Sequence, residues 1–293
     1  QYTAYFTTKV PQVYDLDEGQ FTGGRGIALY IDKNTGKTYA YVVAGDQGYR
    51  VIDVTDPTAP TVVKTFSMTN SGVNWSYRGV DVDQDNSLLA MTEEIRYADG
   101  NHYEYVRFYD ITSPAAPVVV AREKLAEAYS GVPLRISLMN NFAYIATVNI
   151  GLQVVDINAA KAFMQSGGQA DGSTIVGIFD TWANGYKNPT DIVAYKGGRA
   201  ALTTTSGHLI MLDINIPYLP SEMIAFKPGP SSSNFNYDSA WRVAVSSEFA
   251  YSDQSSSVSS VPSVAETNHV IDLAVTSSMA GRIHTLNITD PYN

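Results

Sequence analysis

The 293-residue chain contains no cysteine. That excludes disulfides, thiolate metal sites, c-type haem attachment and cysteine nucleophiles. It argues against a disulfide-rich exported domain without fixing a compartment. Positive charge is also scarce: 19 Lys and Arg stand against 29 Asp and Glu, a formal net charge of −10. A field of that sign opposes nucleic acid and anionic membrane surfaces. His102, His208, His269 and His284 are scattered, with no partner at metal-ligand spacing. No apolar run approaches the ~20 residues needed to span a bilayer, so no transmembrane segment is expected. Neither Gly-x-Ser-x-Gly nor His-Glu-x-x-His occurs. No cofactor and no metal is therefore implied. The chain opens at Gln1 without a signal peptide, which points to a processed or trimmed N-terminus.

What is abundant is Tyr, Thr, Ser and Val, a mixture that suits strands with polar turns. One phrase recurs: "GYRVIDVTDPTAP" from Gly48, "YVRFYDITSPAAP" from Tyr105, "GLQVVDINAAKAF" from Gly151, "GHLIMLDINIPYLP" from Gly207 and "GRIHTLNITDPYN" from Gly281. Each has alternating apolar residues, then Asp or Asn, then a turn. Asp53, Asp110, Asp156, Asp213 and Asn287 align, 57, 46, 57 and 74 residues apart. A unit of roughly 40–50 residues with loop insertions fits a four-stranded propeller blade. A hairpin of two alternating runs precedes each phrase, and a fourth run such as "TVVKTF" or "STIVGIFD" follows it. Each unit thus reads as strands a, b, c and d, with a innermost. Helix is sparse: Asn158–Gly168 could form one short turn capped by Asn158, and "REKLAEAYSG" another.

The phrases "YRVIDVTDPTAP", "LQVVDI" and "RGVDVDQDNSLLAM" resemble the LVIVD-repeat β-propellers. The resemblance implies a secreted or surface-attached protein, and it implies no single activity. The expected fold is an all-β propeller of four-stranded antiparallel blades filling 1–293 as one domain. Five blades are expected, at about 25–66, 77–125, 132–180, 188–228 and 238–293, with six as the alternative. The ambiguity is the Ser-rich insertion from Ser252 to Asn268. If Trp241–Tyr251 is one long strand a, Val270–Val275 is strand b and the count is five. Tyr2–Val10 is expected to pair with the last blade and close the ring.

The recurring Asp suits an Asx-type turn that accepts backbone N–H groups better than a ring of ligands. "DVDQDNSLLAMTEE" sets Asp81, Asp83 and Asp85 in alternation like a calcium loop, but Asn86 stands where that loop needs Gly, and Thr92 where it needs Glu. An a–b hairpin turn is the better reading. The starts of the innermost strands are more telling. They carry Arg25, Arg78, Arg135, Asp191 and Arg242, within one residue of register. One reading is an anion- or sugar-binding mouth of guanidinium forks. The other is a set of ties between neighbouring blades. The d–a connections hold Trp75, Tyr77, Trp182 and Trp241, and aromatic faces beside charged groups suit saccharide or peptide binding. Gap-filling between blades is the competing role. Asn74 and Asn287 head glycosylation sequons.

The functional expectation is a non-catalytic extracellular or cell-surface binding propeller, using its loop face on a protein or saccharide partner. A glycoside hydrolase or lyase is the first alternative, with Asp191, Glu93 and Glu94 as candidate carboxylates. A structural subunit of a larger surface assembly is the second.

Overall fold

The structure, a computed structural model, describes residues 25–67, 73–126, 133–226, 240–252, 268–278 and 283–287; in the last three segments the backbone is described, with the side chains of Val243 and Val245. The expected closing strand Tyr2–Val10 lies outside these residues, as do 253–267 of the Ser-rich insertion.

Alternation builds the strands, and Asp- or Gly-marked turns separate them. The first sheet comprises β1 (Gly26–Ile31), β2 (Thr38–Val43), β3 (Tyr49–Asp53) and β4 (Thr61–Phe66). The second comprises β5 (Val73–Asp83), β6 (Leu88–Tyr97), β7 (His102–Asp110) and β8 (Val118–Lys124). The third comprises β9 (Pro133–Met139), β10 (Phe142–Thr147), β11 (Gly151–Asp156) and β12 (Ile175–Asp180), with α1 (Ile157–Gln165) between its last two strands. The fourth comprises β13 (Pro189–Tyr195), β14 (Arg199–Thr204), β15 (Leu209–Asp213) and β16 (Ser221–Phe226). The fifth has three described strands, β17 (Ala240–Ser252), β18 (Asn268–Ser278) and β19 (Ile283–Asn287). All neighbours are antiparallel and in chain order. These sheets are the blades of a β-propeller. β17 runs on as one long strand through an irregularity between Ser246 and Phe249, so the region forms one blade and not two.

The first strands lie side by side, β1 on β5, β5 on β9, β9 on β13 and β13 on β17, which puts strand a innermost. Side chains on one first strand accept backbone N–H groups from the next: Leu138 N–H donates to Asp81 (2.7 Å), Ala194 N–H to Ser137 (3.0 Å) and Val243 N–H to Asp191 (3.1 Å). The core is a series of apolar layers between sheets. Tyr30, Tyr41, Val51, Leu89 and Met91 fill the first, and Phe108, Ile136, Ile145 and Ile157 the second. Leu152, Phe179, Leu202 and Leu212 fill the third, and Leu209, Met211 and Val243 lie in the fourth. On β1, Ala28 and Tyr30 turn into the first layer, while Ile27, Leu29 and Ile31 are each more than half exposed on the other face. Among the described residues, no sheet packs on that face.

The recurring Asp behaves as a turn cap. Asp53, Asp110 and Asp213 accept the N–H two residues on, from Thr55, Thr112 and Asn215 at 2.8–3.0 Å. Asp156 caps α1 instead, accepting from Ala159 N–H, so the helix starts two residues earlier than an Asn158 cap would place it. The calcium-like stretch is a hairpin. Asp81 reaches Leu138, Asp83 caps its own turn at Asp85 and Asn86, and Asp85 pairs with Lys33. The three carboxylates point to three different partners.

Candidate functional site

The d–a and b–c connections share one end of the propeller. Tyr77 N–H donates to Gly45 O (3.0 Å), and Asn149 N–H to Asn188 Oδ1 (3.0 Å), so b–c turns are stitched to the entry of the following blade. The predicted mouth residues stand at this end. Arg25 precedes β1, Arg78 lies inside β5, and Arg135, Asp191 and Arg242 each occupy the third position of β9, β13 and β17.

Three of them converge. Arg25, Arg135 and Asp191 line a cavity of about 510 Å³, over apolar walls that include Ile27, Val42, Val80 and Ile136. Arg135 donates from NH1 to Arg78 O (3.2 Å) in the preceding blade and to Leu134 O (2.8 Å). Its Nε lies 3.9 Å from Asp191 Oδ1 in the next blade, beyond hydrogen-bond length. Arg135 therefore does both jobs: it ties blades and it faces the cavity. Arg25 has no ion-pair partner among the described residues, and it stands beside Gly45, where a Cβ would come within 3.0 Å of its Nε.

Arg78 is withdrawn from the mouth. Its Nε and NH2 hold Glu94 Oε2 (3.1 and 2.8 Å), while Arg96 holds Glu94 Oε1. Burial pushes Glu94 up, but the two guanidiniums outweigh it and hold the carboxyl below its ordinary range. Glu93 and Glu94 are consecutive on β6, so they point to opposite faces of the sheet. Glu93 binds Arg107 (3.0 Å) and Arg122 (2.7 Å). Both glutamates thus serve ion pairs on separate faces, and the carboxylate pair that a glycosidase role would need is not formed between them.

The aromatics are dispersed. β5 begins at Val73, so Trp75 and Tyr77 belong to a paired strand and not to a connection. Tyr77 is buried, with its hydroxyl 3.0 Å from that of Tyr109. Trp75 carries the Arg107 guanidinium over its ring at 5.7 Å. Trp182 is half exposed in the turn after β12 and donates to Asn188 (3.2 Å), away from the cavity lining. The backbone of Trp241 lies in β17 beside that of Arg242. Asn74 is exposed in β5, and Asn287 ends β19. Arg107 and Arg122, which the sequence reading passes over, prove to be the partners of Glu93. The alternation Tyr105, Arg107, Tyr109 was the signal, since it puts all three on one sheet face.

Two carboxylates at the blade seams, the buried Asp191 and the half-buried Asp81, titrate unusually. Burial pushes Asp191 up to about 7, against hydrogen bonds from Val243 and Ile192 N–H that pull it down. Burial likewise raises Asp81 to about 6, against the N–H groups of Leu138 and Val82. Both folded pKa values exceed the unfolded carboxylate value of about 3.9. The folded state therefore binds these protons more tightly. Their contribution is fully present below pH 4 and is lost as pH rises through 6 and 7. The melting temperature is expected to rise by several degrees between pH 8 and pH 5, and Asp191→Asn is expected to flatten much of that slope. A wild-type profile that is flat or rises with pH across this window would contradict the assignment.

Residues 36–68 and 131–165 match the LVIVD repeat; these segments hold strands b, c and d of the first blade and strands a, b and c of the third with α1. No curated protein matches the chain. Among solved structures it is similar to the WD40 β-propeller domain of Doa1, at 13% identity over 92% of this chain and 69% of that one, TM-score 0.42. It is similar to a chain of a mitotic checkpoint complex, at 9% identity over 98% and 75%, TM-score 0.47. A protein from Lactobacillus plantarum is similar at 11% identity over 90% and 70%, TM-score 0.48.

Proposed function

We propose that this LVIVD-repeat propeller is a non-catalytic extracellular or cell-surface binding module that takes an anionic group of its partner at the mouth. The supporting observation is the convergence of Arg25, Arg135 and Asp191 from three blades on one cavity at the loop end. Two guanidiniums face one carboxylate there, and that carboxylate titrates near neutrality. The local charge is therefore positive in a chain whose net charge is −10. An anion entering over the apolar walls meets planar donor forks in a setting that screens charge less than open water. Four antiparallel strands per blade hold these residues rigidly, which favours recognition without rearrangement.

The test is a glycan array carrying anionic and neutral glycans, probed with the purified chain and then assayed for turnover. Retention on anionic glycans is expected, reduced at least tenfold in an Arg25→Gln/Arg135→Gln double variant that remains folded at the assay temperature. Product release that Asp191→Asn abolishes would replace the binding reading with an enzymatic one. Retention indifferent to both arginines would remove the mouth as the site.

A further inference from the structure

The second blade is taller than the first, against which it packs. β5, β6 and β7 have 11, 10 and 9 residues, whereas β1 to β3 have 6, 6 and 5. The bridge between Gly45 and Tyr77 marks where the first sheet ends against the second. Beyond it the second sheet continues as a ledge. Cross-strand pairing sets Tyr77, Glu93 and Tyr105 in one row and Trp75, Ile95 and Tyr103 in the next, on the face turned toward the first blade. Arg107 and Arg122 pair across β7 and β8 on that same face. The Arg122 guanidinium lies 3.6 Å over the Tyr105 ring, and Lys124 Nζ lies 4.7 Å over that of Tyr103.

Three buried donors on this ledge have no acceptor among the described residues: Arg107 Nε, Arg122 NH2 and Trp75 Nε1. Burying an N–H without a partner costs free energy, so a group that supplies acceptors there is favoured. Among the described residues the only acid on the cluster is Glu93, against Arg107, Arg122 and Lys124. The missing partner is therefore an anion with more than one acceptor oxygen.

We propose that this ledge is a second binding site, for the carboxylates of an acidic saccharide. Arg122, with 30% of its side chain exposed, is the entry, and Trp75 and Arg107 form the back wall. Planar forks match a carboxylate bidentately. The saccharide is favoured over an acidic peptide by the rings in series at Tyr105, Tyr103 and the exposed Tyr97, the last two edge to face at 5.8 Å. Ring faces spaced along a strand suit a chain of sugar rings, with a charge at each step. An extended peptide would need a free strand edge, and β6 and β7 are paired on both sides. The ledge and the mouth use different residues, so each can fail alone.

Calorimetric titration of the purified chain with hexagalacturonate, maltohexaose and hexaglutamate decides the matter. Saturable binding of hexagalacturonate is expected, with none of maltohexaose and at least tenfold weaker binding of hexaglutamate. Arg122→Gln should weaken the uronate at least tenfold. Trp75→Phe, which keeps an aromatic ring and removes the indole N–H, should weaken it about threefold and decides the case if Arg122→Gln does not fold. Lys33→Gln, in the a–b turn of the first blade, should change nothing. Absence of hexagalacturonate binding, or binding untouched by both ledge variants, overturns the site. Hexaglutamate binding as tightly as the uronate overturns the saccharide assignment.

Discussion

Gly151→Ala is expected to destabilise the propeller by about 3 kcal/mol or more, read as the free energy of unfolding in urea. Two costs combine. Gly151 has φ +119, a conformation essentially reserved for glycine, which costs a residue with a Cβ about 1–3 kcal/mol. A Cβ there would also overlap the Phe179 carbonyl oxygen and come within 2.8 Å of Thr181 N. Neither contact can relax without breaking the β11–β12 ladder, because Leu152 and Phe179 are a registered pair. Gly48 repeats the arrangement in the first blade, with φ +89 and the Phe66 carbonyl in the way. The internal comparison is Gly36→Ala. Gly36 also has positive φ, at +70, but a Cβ there meets nothing within 4 Å, so only about 1 kcal/mol is expected. If the Gly151 and Gly36 variants lose the same amount, close packing of strand d on the start of strand c does not explain why the repeat opens on glycine.

Those glycines show why the blades were legible. Gly48 immediately precedes strand c, Gly151 opens it and Gly207 stands two residues before it, and Asp53, Asp156 and Asp213 close it. Both are local requirements, of backbone angle and of hydrogen-bond acceptance, so one sequence displays them. Alternation supplied the faces between. What could not be read was length. Glu93 to Glu104 has the composition of a long polar loop, yet it continues as a hairpin, with Arg96 opposite His102 and Gly100 at φ +88 in its turn. That extension draws Val73–Tyr77 into strand β5, although this stretch carries no turn-marking change of its own. Pairing partners, not propensity, decide such a case. The same limit hid Arg122. Its stretch "REKLAEAYSG" also suits a short helical turn, and only the ladder to β7 fixes Arg122 as strand and aims it at Glu93. The mouth was legible in part. Register alone brought Arg25, Arg135 and Asp191 to one end, but Arg78 was diverted because the bulge between Tyr77 and Val80 leaves it facing Glu94.

Glu93→Gln is expected to cost about 3–5 kcal/mol, the largest loss for any single charge in the second blade. Glu93 is completely buried, and its carboxylate is the shared counter-ion of Arg107 and Arg122. Burial alone would weaken the Arg107 charge, but Glu93 more than offsets it and the guanidinium pKa lies above its ordinary value. Neutralising Glu93 keeps the shape of the side chain and leaves two guanidiniums directly opposite each other across β7 and β8. Like charges in that geometry repel, and both would keep only part of their water. Adding Arg122→Gln to Glu93→Gln should recover more than 1 kcal/mol, because the repulsion goes with the second charge; the double-mutant cycle reads this directly. Glu94→Gln gives the contrast. Of its two partners, Arg78 is 19% exposed and loses its counter-ion, but Arg96 is 60% exposed and can return to water, so a loss of about half the size is expected. The ledge adds a second readout: without Glu93 the Arg122 fork loses the contact that sets its angle over Tyr105. Hexagalacturonate affinity should therefore fall in Glu93→Gln, even though the change makes the ledge more positive. A gain in affinity would mean that net charge alone, and not the fixed fork, recruits the ligand.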